Sequence, residues 1–153
     1  MGFIDTIKAR AKADKKVIVL PETEDRRTYE ATAQILKEGI ADVVLVGSEE
    51  AIKKGSEGLD ISGAKIVDPA TSEKTQGYID KLVELRSKKG MTPEQAKEIL
   101  LNQYLYYGVM MVKMGDADGM VSGACHSTAD TLRPCLQLSL IHISEPTRLQ
   151  LIS

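Results

Sequence analysis

Two unbroken apolar runs near the start of the chain predict buried strands. Residues 17–20 are stopped by a proline, and residues 41–47 end in a glycine. Runs without polar alternation suit strands covered on both faces, as in a parallel sheet. Between them lies a helical stretch that Thr23 can cap and that reaches Glu38, where Gly39 closes it. The pattern predicts a strand–helix–strand unit with a right-handed crossover.

The rest of the chain continues this alternation. Apolar positions at helical spacing predict helices at residues 2–14, 48–54, 71–89, 92–114 and from residue 129 to Pro134. Short apolar segments predict strands at residues 65–69 and 119–123. Thr92, Pro93 and Gln95 form a strong helix start with a capping box. Alternating strands and helices predict a three-layer α/β/α domain with a largely parallel sheet.

Composition narrows the class of protein. The chain has 153 residues, 42% of them hydrophobic, and a net charge of −2. This charge argues against a nucleic-acid partner, and no apolar run is long enough to span a membrane. Two cysteines and two histidines, at 125, 135, 126 and 142, show neither zinc spacing nor a disulfide framework. We therefore predict a cytoplasmic protein without a metal.

The end of the chain has a different character. Residues 138–148 resemble the translation of a transposase adapter used in sequencing libraries. The alternative is a natural segment with alternating polarity. We predict that residues 138–153 are a non-native tail, and His142 therefore enters no catalytic hypothesis.

Residues 119–134 form the most informative segment for chemistry. A short strand leads into a turn rich in glycine and hydroxyl residues, and a helix containing Arg133 follows. Ligands of open α/β sheets bind beyond the carboxyl ends of the strands, where backbone N–H groups and helix N-termini attract anions. Arg133 can grip phosphate oxygens with two hydrogen bonds. The alternative is an ordinary strand–helix loop with Ser127 or Thr128 as the helix cap.

Several segments together resemble one family. They are residues 21–26, 40–47, 65–69, 84–90, 115–119 and 122–134. In order and spacing they are similar to phosphate acetyltransferases, and the resemblance covers residues 1–137. We take these residues as the N-terminal part of that domain, and the resemblance implies an architecture like that of isocitrate and isopropylmalate dehydrogenases.

The resemblance also implies an activity. Family members move an acetyl group reversibly between acetyl phosphate and coenzyme A. The thiol of coenzyme A attacks the acetyl carbonyl in a ternary complex, without a metal or other cofactor. The substrates and products are then coenzyme A, acetyl-CoA, acetyl phosphate and phosphate, and the full-length protein is expected to be a homodimer.

Arg86 and Arg133 match two arginines that matter in the family. Their charge would stabilise the leaving phosphate and hold the phosphates of coenzyme A. Without the resemblance, the alternative interpretation of Arg86 is a cation that stabilises a helix C-terminus, and that of Arg133 is a solvated helix residue. Ser122, Ser127 and Thr128 are candidate donors to the substrate, and Asp130 is expected to orient Arg133 or the loop.

Other residues of these segments receive weaker predictions. Cys125 could act as a nucleophile through a thioester, but direct transfer in the family favours an inert thiol. His126 has no Ser–His–Asp context in the sequence. The charged group Glu22, Glu24, Asp25 and Arg26 is expected to form a helix cap and a local ion network.

The resemblance leaves two alternatives and one reservation. The alternatives are a phosphate butyryltransferase and a non-catalytic domain that binds an acetyl-CoA-like effector, as at the end of some malic enzymes. The reservation is that a catalytic Ser-Arg pair, an Asp base and a second domain lie later in the family's chains. We therefore expect the chain by itself to be inactive.

Overall fold

The computed structural model describes residues 2–127, 129 and 132–134. Within them the chain forms an α/β fold, as predicted. The strands are β1 Val17–Leu20, β2 Asp42–Val46, β3 Lys65–Val67 and β4 Gly119–Met120. The helices are α1 Phe3–Ala13, α2 Arg26–Glu38, α3 Glu49–Gly55, α4 Thr75–Arg86, α5 Pro93–Asn102 and α6 Tyr104–Lys113, with a 3-10 turn at Ser87–Lys89.

The sheet is parallel and has the strand order β3-β2-β1-β4. Val19 of β1 pairs with Val44 of β2 on one side and with Met120 of β4 on the other. Strands β1 and β4 are therefore neighbours, although about a hundred residues separate them. Because parallel strands end at the same edge, the loops that follow β1 and β4 lie side by side.

Helices cover both faces of the sheet. One face buries Val19, Val44 and Val46 against α4, α5 and α6. The other buries Val43 and Leu45 against Tyr29 of α2 and Ile52 of α3. These two cores make the three-layer α/β/α arrangement that the alternating sequence predicted. No helix among the described residues is long and apolar enough to cross a membrane.

Two helix boundaries differ from the prediction, one because of a local hydrogen bond and the other because the surroundings of the helix change. Helix α4 begins at Thr75 rather than residue 71, since the Asp68 carboxylate accepts the N–H of Ala70 and holds a turn there. The predicted helix over 92–114 breaks at Gln103, whose backbone is extended. The half-exposed α5 and the almost wholly buried α6 face different surroundings, and one straight helix could not satisfy both.

Helix α6 approaches the sheet closely at Gly108. A Cβ built there would lie 2.7 Å from the Met120 sulfur and 3.2 Å from Val19 Cγ1. The absence of a side chain lets the helix backbone pack directly on β1 and β4. This contact fixes the position of α6, whose first residues form one wall of the cleft described below.

The start of α2 also differs from the prediction. Asp25, not Thr23, is the N-cap, and its carboxylate accepts the N–H of Arg27 at 2.9 Å. Thr23 instead donates its hydroxyl to the carbonyl of Val46 at 2.7 Å. The Thr23 hydroxyl therefore fastens the loop after β1 to the end of β2.

Candidate functional site

Two loops meet beyond the carboxyl ends of β1 and β4. Residues 21–25 follow β1, and residues 121–127 follow β4. Sequence analysis treated the first as a helix start and the second as a possible anion loop. The structure joins them through one buried side chain, Glu22, whose residue is only 2% exposed.

The Glu22 carboxylate sits inside the second loop. Its Oε1 accepts hydrogen bonds from the Ser122 hydroxyl and from the N–H groups of Gly123 and Ala124. Its Oε2 accepts the N–H groups of Cys125 at 2.8 Å and of His126 at 3.0 Å. Four consecutive backbone donors thus point at one carboxylate, which forms the backbone nest typical of anion sites.

These contacts keep Glu22 ionised. Burial by itself would raise the pKa of this carboxyl. The hydrogen bonds from the Cys125 N–H, the His126 side chain and the Ala124 N–H outweigh burial and hold the pKa well below its ordinary value. A buried carboxylate with this many donors is a stable internal anion.

This arrangement corrects the anion-loop hypothesis in one respect. That hypothesis, one of two interpretations of the sequence, directed the loop's backbone N–H groups at a bound anion. In the structure the N–H groups of residues 123–126 are engaged by Glu22. The loop does bind an anion, but that anion belongs to the chain itself. The N–H groups of residues 123–126 are therefore not free to hold an anion from outside the chain.

Arg27 ties the two loops together a second time. Its guanidinium donates to Asp25 at 2.7 Å and also to the carbonyl of Ala124. Arg26 points elsewhere and donates to the carbonyls of Gly55, the last residue of α3, and of Glu57, just beyond it. The predicted local ion network thus exists around Asp25, but Arg27 rather than Arg26 carries it.

Cys125 is placed poorly for nucleophilic attack. Its sulfur lies 3.1 Å from Glu22 Oε2 and 3.4 Å from Glu24 Oε1. Cys125 is an exposed residue, but the partial burial of its sulfur, together with hydrogen bonds to these two carboxylates and their negative charge, raises the thiol pKa to about 12. Only the thiolate is a good nucleophile, so the geometry supports the inert-thiol interpretation.

A cleft of about 380 Å³ opens beside these loops. It is lined by Pro21, Glu24, His126, Arg133 and Pro134 on the loop side and by residues 101–106 on the other. Clefts of roughly 300–1,000 Å³ hold small ligands in many proteins. This one lies at the carboxyl edge of the strands, where the parallel sheet predicts a ligand.

The charges of the two predicted arginines both act on Tyr106. Burial raises the pKa of the Tyr106 hydroxyl, and the positive charges of Arg133 and Arg86 partly offset that rise. Arg133 is exposed and lines the cleft. Arg86 is half-buried, and its Nε is buried without a hydrogen-bond partner among residues 2–127, 129 and 132–134. Buried polar groups are nearly always paired, so a buried donor without a partner is a candidate for binding one.

The remaining predicted site residues have different positions. Ser122 donates its hydroxyl to Glu22 at 2.9 Å, so it belongs to the loop's internal network. Ser127 is exposed at the end of the loop. Thr128 and Asp130 lie outside the described residues. Their proposed contacts with substrate, and those of Ser122 and Ser127, stay predictions.

The segment 115–119 supports the fold at the opposite edge of the sheet. Asp118 accepts the N–H of Val17 at 2.8 Å, at the start of β1. Asp116 pairs with Lys74 and accepts the hydroxyl of Tyr78, which is buried. Both aspartates therefore hold elements together at the amino ends of the strands, away from the cleft.

Comparison with known proteins identifies the family. The family model described as "Phosphate acetyl/butaryl transferase" matches residues 2–144. The chain therefore belongs to the phosphate acetyl/butaryl transferase family. The match confirms the resemblance given by the sequence motifs and agrees with the α/β fold.

Individual relatives agree with this assignment. The phosphate acetyltransferase of Acetivibrio thermocellus is 53% identical over 138 residues, which are 90% of this chain and 41% of that protein. That of Thermoanaerobacterium thermosaccharolyticum is 52% identical, over 90% of this chain and 42% of that protein. This chain thus spans less than half the length of the curated relatives it matches.

Solved structures show the same fold. A phosphotransacetylase from Streptococcus pyogenes superposes with a TM-score of 0.82 at 35% identity, over 90% of this chain and 43% of that one. The EutD phosphotransacetylase from Staphylococcus aureus gives a TM-score of 0.79 at 40% identity, over 88% of this chain and 41% of that one.

Proposed function

We propose that the chain forms one wall of the active site of a phosphate acetyltransferase, which moves acetyl between acetyl phosphate and coenzyme A. The observation that carries the proposal is that Arg133 lines a cleft at the carboxyl edge of the sheet, where the charges of Arg133 and Arg86 both act on Tyr106. These are the two arginines that the family resemblance assigned to phosphate.

The chemistry needs positive charge more than it needs a nucleophile from the protein. In the forward direction the sulfur of coenzyme A forms a bond to the acetyl carbon, and the bond from that carbon to the phosphate oxygen breaks. The thiol proton leaves, and phosphate departs with increased negative charge. Guanidinium groups stabilise that charge most strongly where water is excluded. Arg133 lines the cleft, while Arg86 offers a buried donor whose charge acts on Tyr106, a residue of the lining.

The internal network around Glu22 contributes rigidity. By filling the loop's backbone nest, Glu22 fixes residues 122–126 and thereby the point from which the chain leads to Arg133. Groups that stabilise a transition state act best when they need no reorganisation. We propose that Glu22 is a positioning residue for this wall of the cleft.

Acetyl is the acyl group that the relatives favour. The family description also covers the longer butyryl group, but the relatives at 50–53% identity are all named phosphate acetyltransferase. We propose coenzyme A, acetyl-CoA, acetyl phosphate and phosphate as ligands, an acetyl-transfer step that uses no further cofactor, a cytoplasmic location and a homodimeric full-length protein. Since the chain spans about 41% of the first relative, we propose that the complete reaction needs residues beyond it.

A chimeric enzyme tests this proposal. Residues 1–137 replace the matching part of the Acetivibrio thermocellus enzyme, and acetyl-CoA formation from acetyl phosphate and coenzyme A is measured. We expect activity within about tenfold of the natural enzyme and weaker turnover with butyryl phosphate. A folded chimera without acetyl transfer would refute the proposal.

A further inference from the structure

Three different metal-ligating side chains converge where the two loops meet. Glu22 Oε2, Cys125 Sγ and His126 Nδ1 form a triangle with sides of 3.1, 2.8 and 3.5 Å. Sequence spacing predicted no metal site because it compared only cysteines and histidines. Glu22 lies 103 residues before Cys125, and only the pairing of β1 with β4 brings them together.

The triangle has nearly the size that a zinc ion requires. Zinc bonds of about 2.3 Å to sulfur and about 2.0–2.2 Å to nitrogen and oxygen place tetrahedral ligand atoms roughly 3.4–3.6 Å apart. The Sγ–Nδ1 side already has this length, and the two sides at Glu22 need to open by about half an ångström. The histidine ring and the thiol are on the outer side of the buried carboxylate and can make that movement.

The surroundings supply the outer contacts that metal ligands need. Backbone N–H groups hold both oxygens of Glu22, so its orientation is fixed before any ion arrives. Glu24 Oε1 lies 3.4 Å from His126 Nε2. In the structure His126 Nδ1 donates to Glu22; once an ion displaces that proton, a carboxylate at Nε2 favours the tautomer that leaves the Nδ1 lone pair to the metal, an arrangement common behind metal-bound histidines.

We propose that Glu22, Cys125 and His126 form a three-ligand site for a thiophilic divalent ion, with Zn²⁺ as the natural fit. Sulfur, imidazole and carboxylate together match the ligands that zinc prefers, and water completes the tetrahedron. On binding, the thiol proton leaves to solvent and the imidazole proton moves from Nδ1 to Nε2, toward Glu24. The site adjoins the cleft through His126 and Glu24, so the ion would place positive charge at its rim.

Metal binding to the 153-residue chain tests the site without any assay of acetyl transfer. Chelator-treated protein is titrated with Zn²⁺ in competition with a chromophoric chelator, and with Co²⁺ as a spectroscopic substitute. We expect one Zn²⁺ per chain and a thiolate-to-cobalt charge-transfer band. Cys125→Ser should abolish the cobalt band. Cys125→Ser and His126→Ala should each weaken Zn²⁺ binding more than about tenfold. Tenfold is the smallest loss of metal affinity that removal of an outer-shell group typically causes, and loss of a direct ligand should exceed it.

The chain offers a matched control. Cys135 and His142 are the other cysteine and histidine of the sequence. The double variant Cys135→Ser, His142→Ala should keep both the affinity and the cobalt band. A wild-type chain that binds no Zn²⁺, or a control variant that loses the band while Cys125→Ser keeps it, would overturn the proposal. Since neither readout involves coenzyme A, this outcome is independent of the proposed transferase function.

Discussion

The carboxylate of Glu22 accepts the backbone N–H of Cys125 at 2.8 Å, across 103 residues of sequence. This contact joins the loop after β1 to the loop after β4. It explains why two sequence motifs that lie far apart in the chain form one structure at the edge of the sheet. The stability and shape of the cleft wall should therefore depend on Glu22.

Replacing Glu22 tests that dependence. Glu22→Gln replaces one carboxylate oxygen by an NH₂ group. The backbone N–H groups that this oxygen accepted then face another donor and have no acceptor. Leaving buried donors unsatisfied costs about 1–3 kcal/mol, so we expect a loss of roughly 2–3 kcal/mol in the free energy of unfolding. Urea unfolding of the 153-residue chain measures it. Glu24→Gln is the matched control, because Glu24 is exposed, and it should change stability by less than about 0.5 kcal/mol.

The same carboxylate should make stability depend on pH. The pKa of Glu22 is lowered in the folded state, so the unfolded chain binds the extra proton first as pH falls. Its stabilising effect is full above the ordinary pKa of the carboxyl, near 4.5, and is lost as pH falls below it toward the lower folded pKa. Unfolding free energies measured from pH 7 to pH 3 should fall more steeply for the natural chain than for Glu22→Gln. Equal slopes would contradict this assignment.

The chemistry of Cys125 gives a separate prediction. With its pKa raised to about 12, the thiol should be almost fully protonated at neutral pH and react slowly with iodoacetamide. The measurement uses a Cys135→Ser chain with chelator present, so that only Cys125 can react. We expect the rate to keep rising tenfold per pH unit up to pH 10. A rate that levels off near pH 8 would indicate an ordinary or activated thiol.

Close packing at Gly108 can be tested with a pair of glycines. Gly108→Ala pushes a methyl group into Met120 and Val19, and overpacking of this kind typically costs about 1–3 kcal/mol. Gly77 in α4 meets nothing within 4 Å among the described residues, so Gly77→Ala should stabilise the chain by up to about 1 kcal/mol. Thermal unfolding of both variants gives the comparison. A stabilising Gly108→Ala would mean that α6 is not held as closely as described.

Local patterns predicted most of the fold. The buried runs of β1 and β2, the glycine that ends α2 and the capping box at Thr92 were all read from neighbouring residues, and the structure confirms them. The break at Gln103 was missed, because apolar spacing continues across it and only the different surroundings of α5 and α6 require it. Thr23 was given the wrong partner for a similar reason, since its acceptor belongs to β2.

The site was harder to predict, because its contacts are long-range. Family resemblance singled out Arg86 and Arg133, and their roles stay predictions; the structure shows that Arg133 lines the cleft and that both charges act on Tyr106. The roles of Glu22 and Arg27 depend on which strand lies beside β1. The order of the strands in the sheet cannot be derived from a single sequence. One signal was present: three acids directly after a buried strand are more charge than a single helix cap needs.

We propose above all that Arg133 stabilises phosphate in acetyl transfer, and one measurement tests this role most directly. In the chimera with residues 1–137, kcat and KM for acetyl phosphate and coenzyme A are compared for Arg133→Gln and for Arg10→Gln, an exposed arginine of α1. Losing one preorganised donor costs about 3 kcal/mol, so Arg133→Gln should lower kcat about a hundredfold while Arg10→Gln leaves it unchanged. Equal kcat and KM values in a folded Arg133→Gln enzyme would contradict the account.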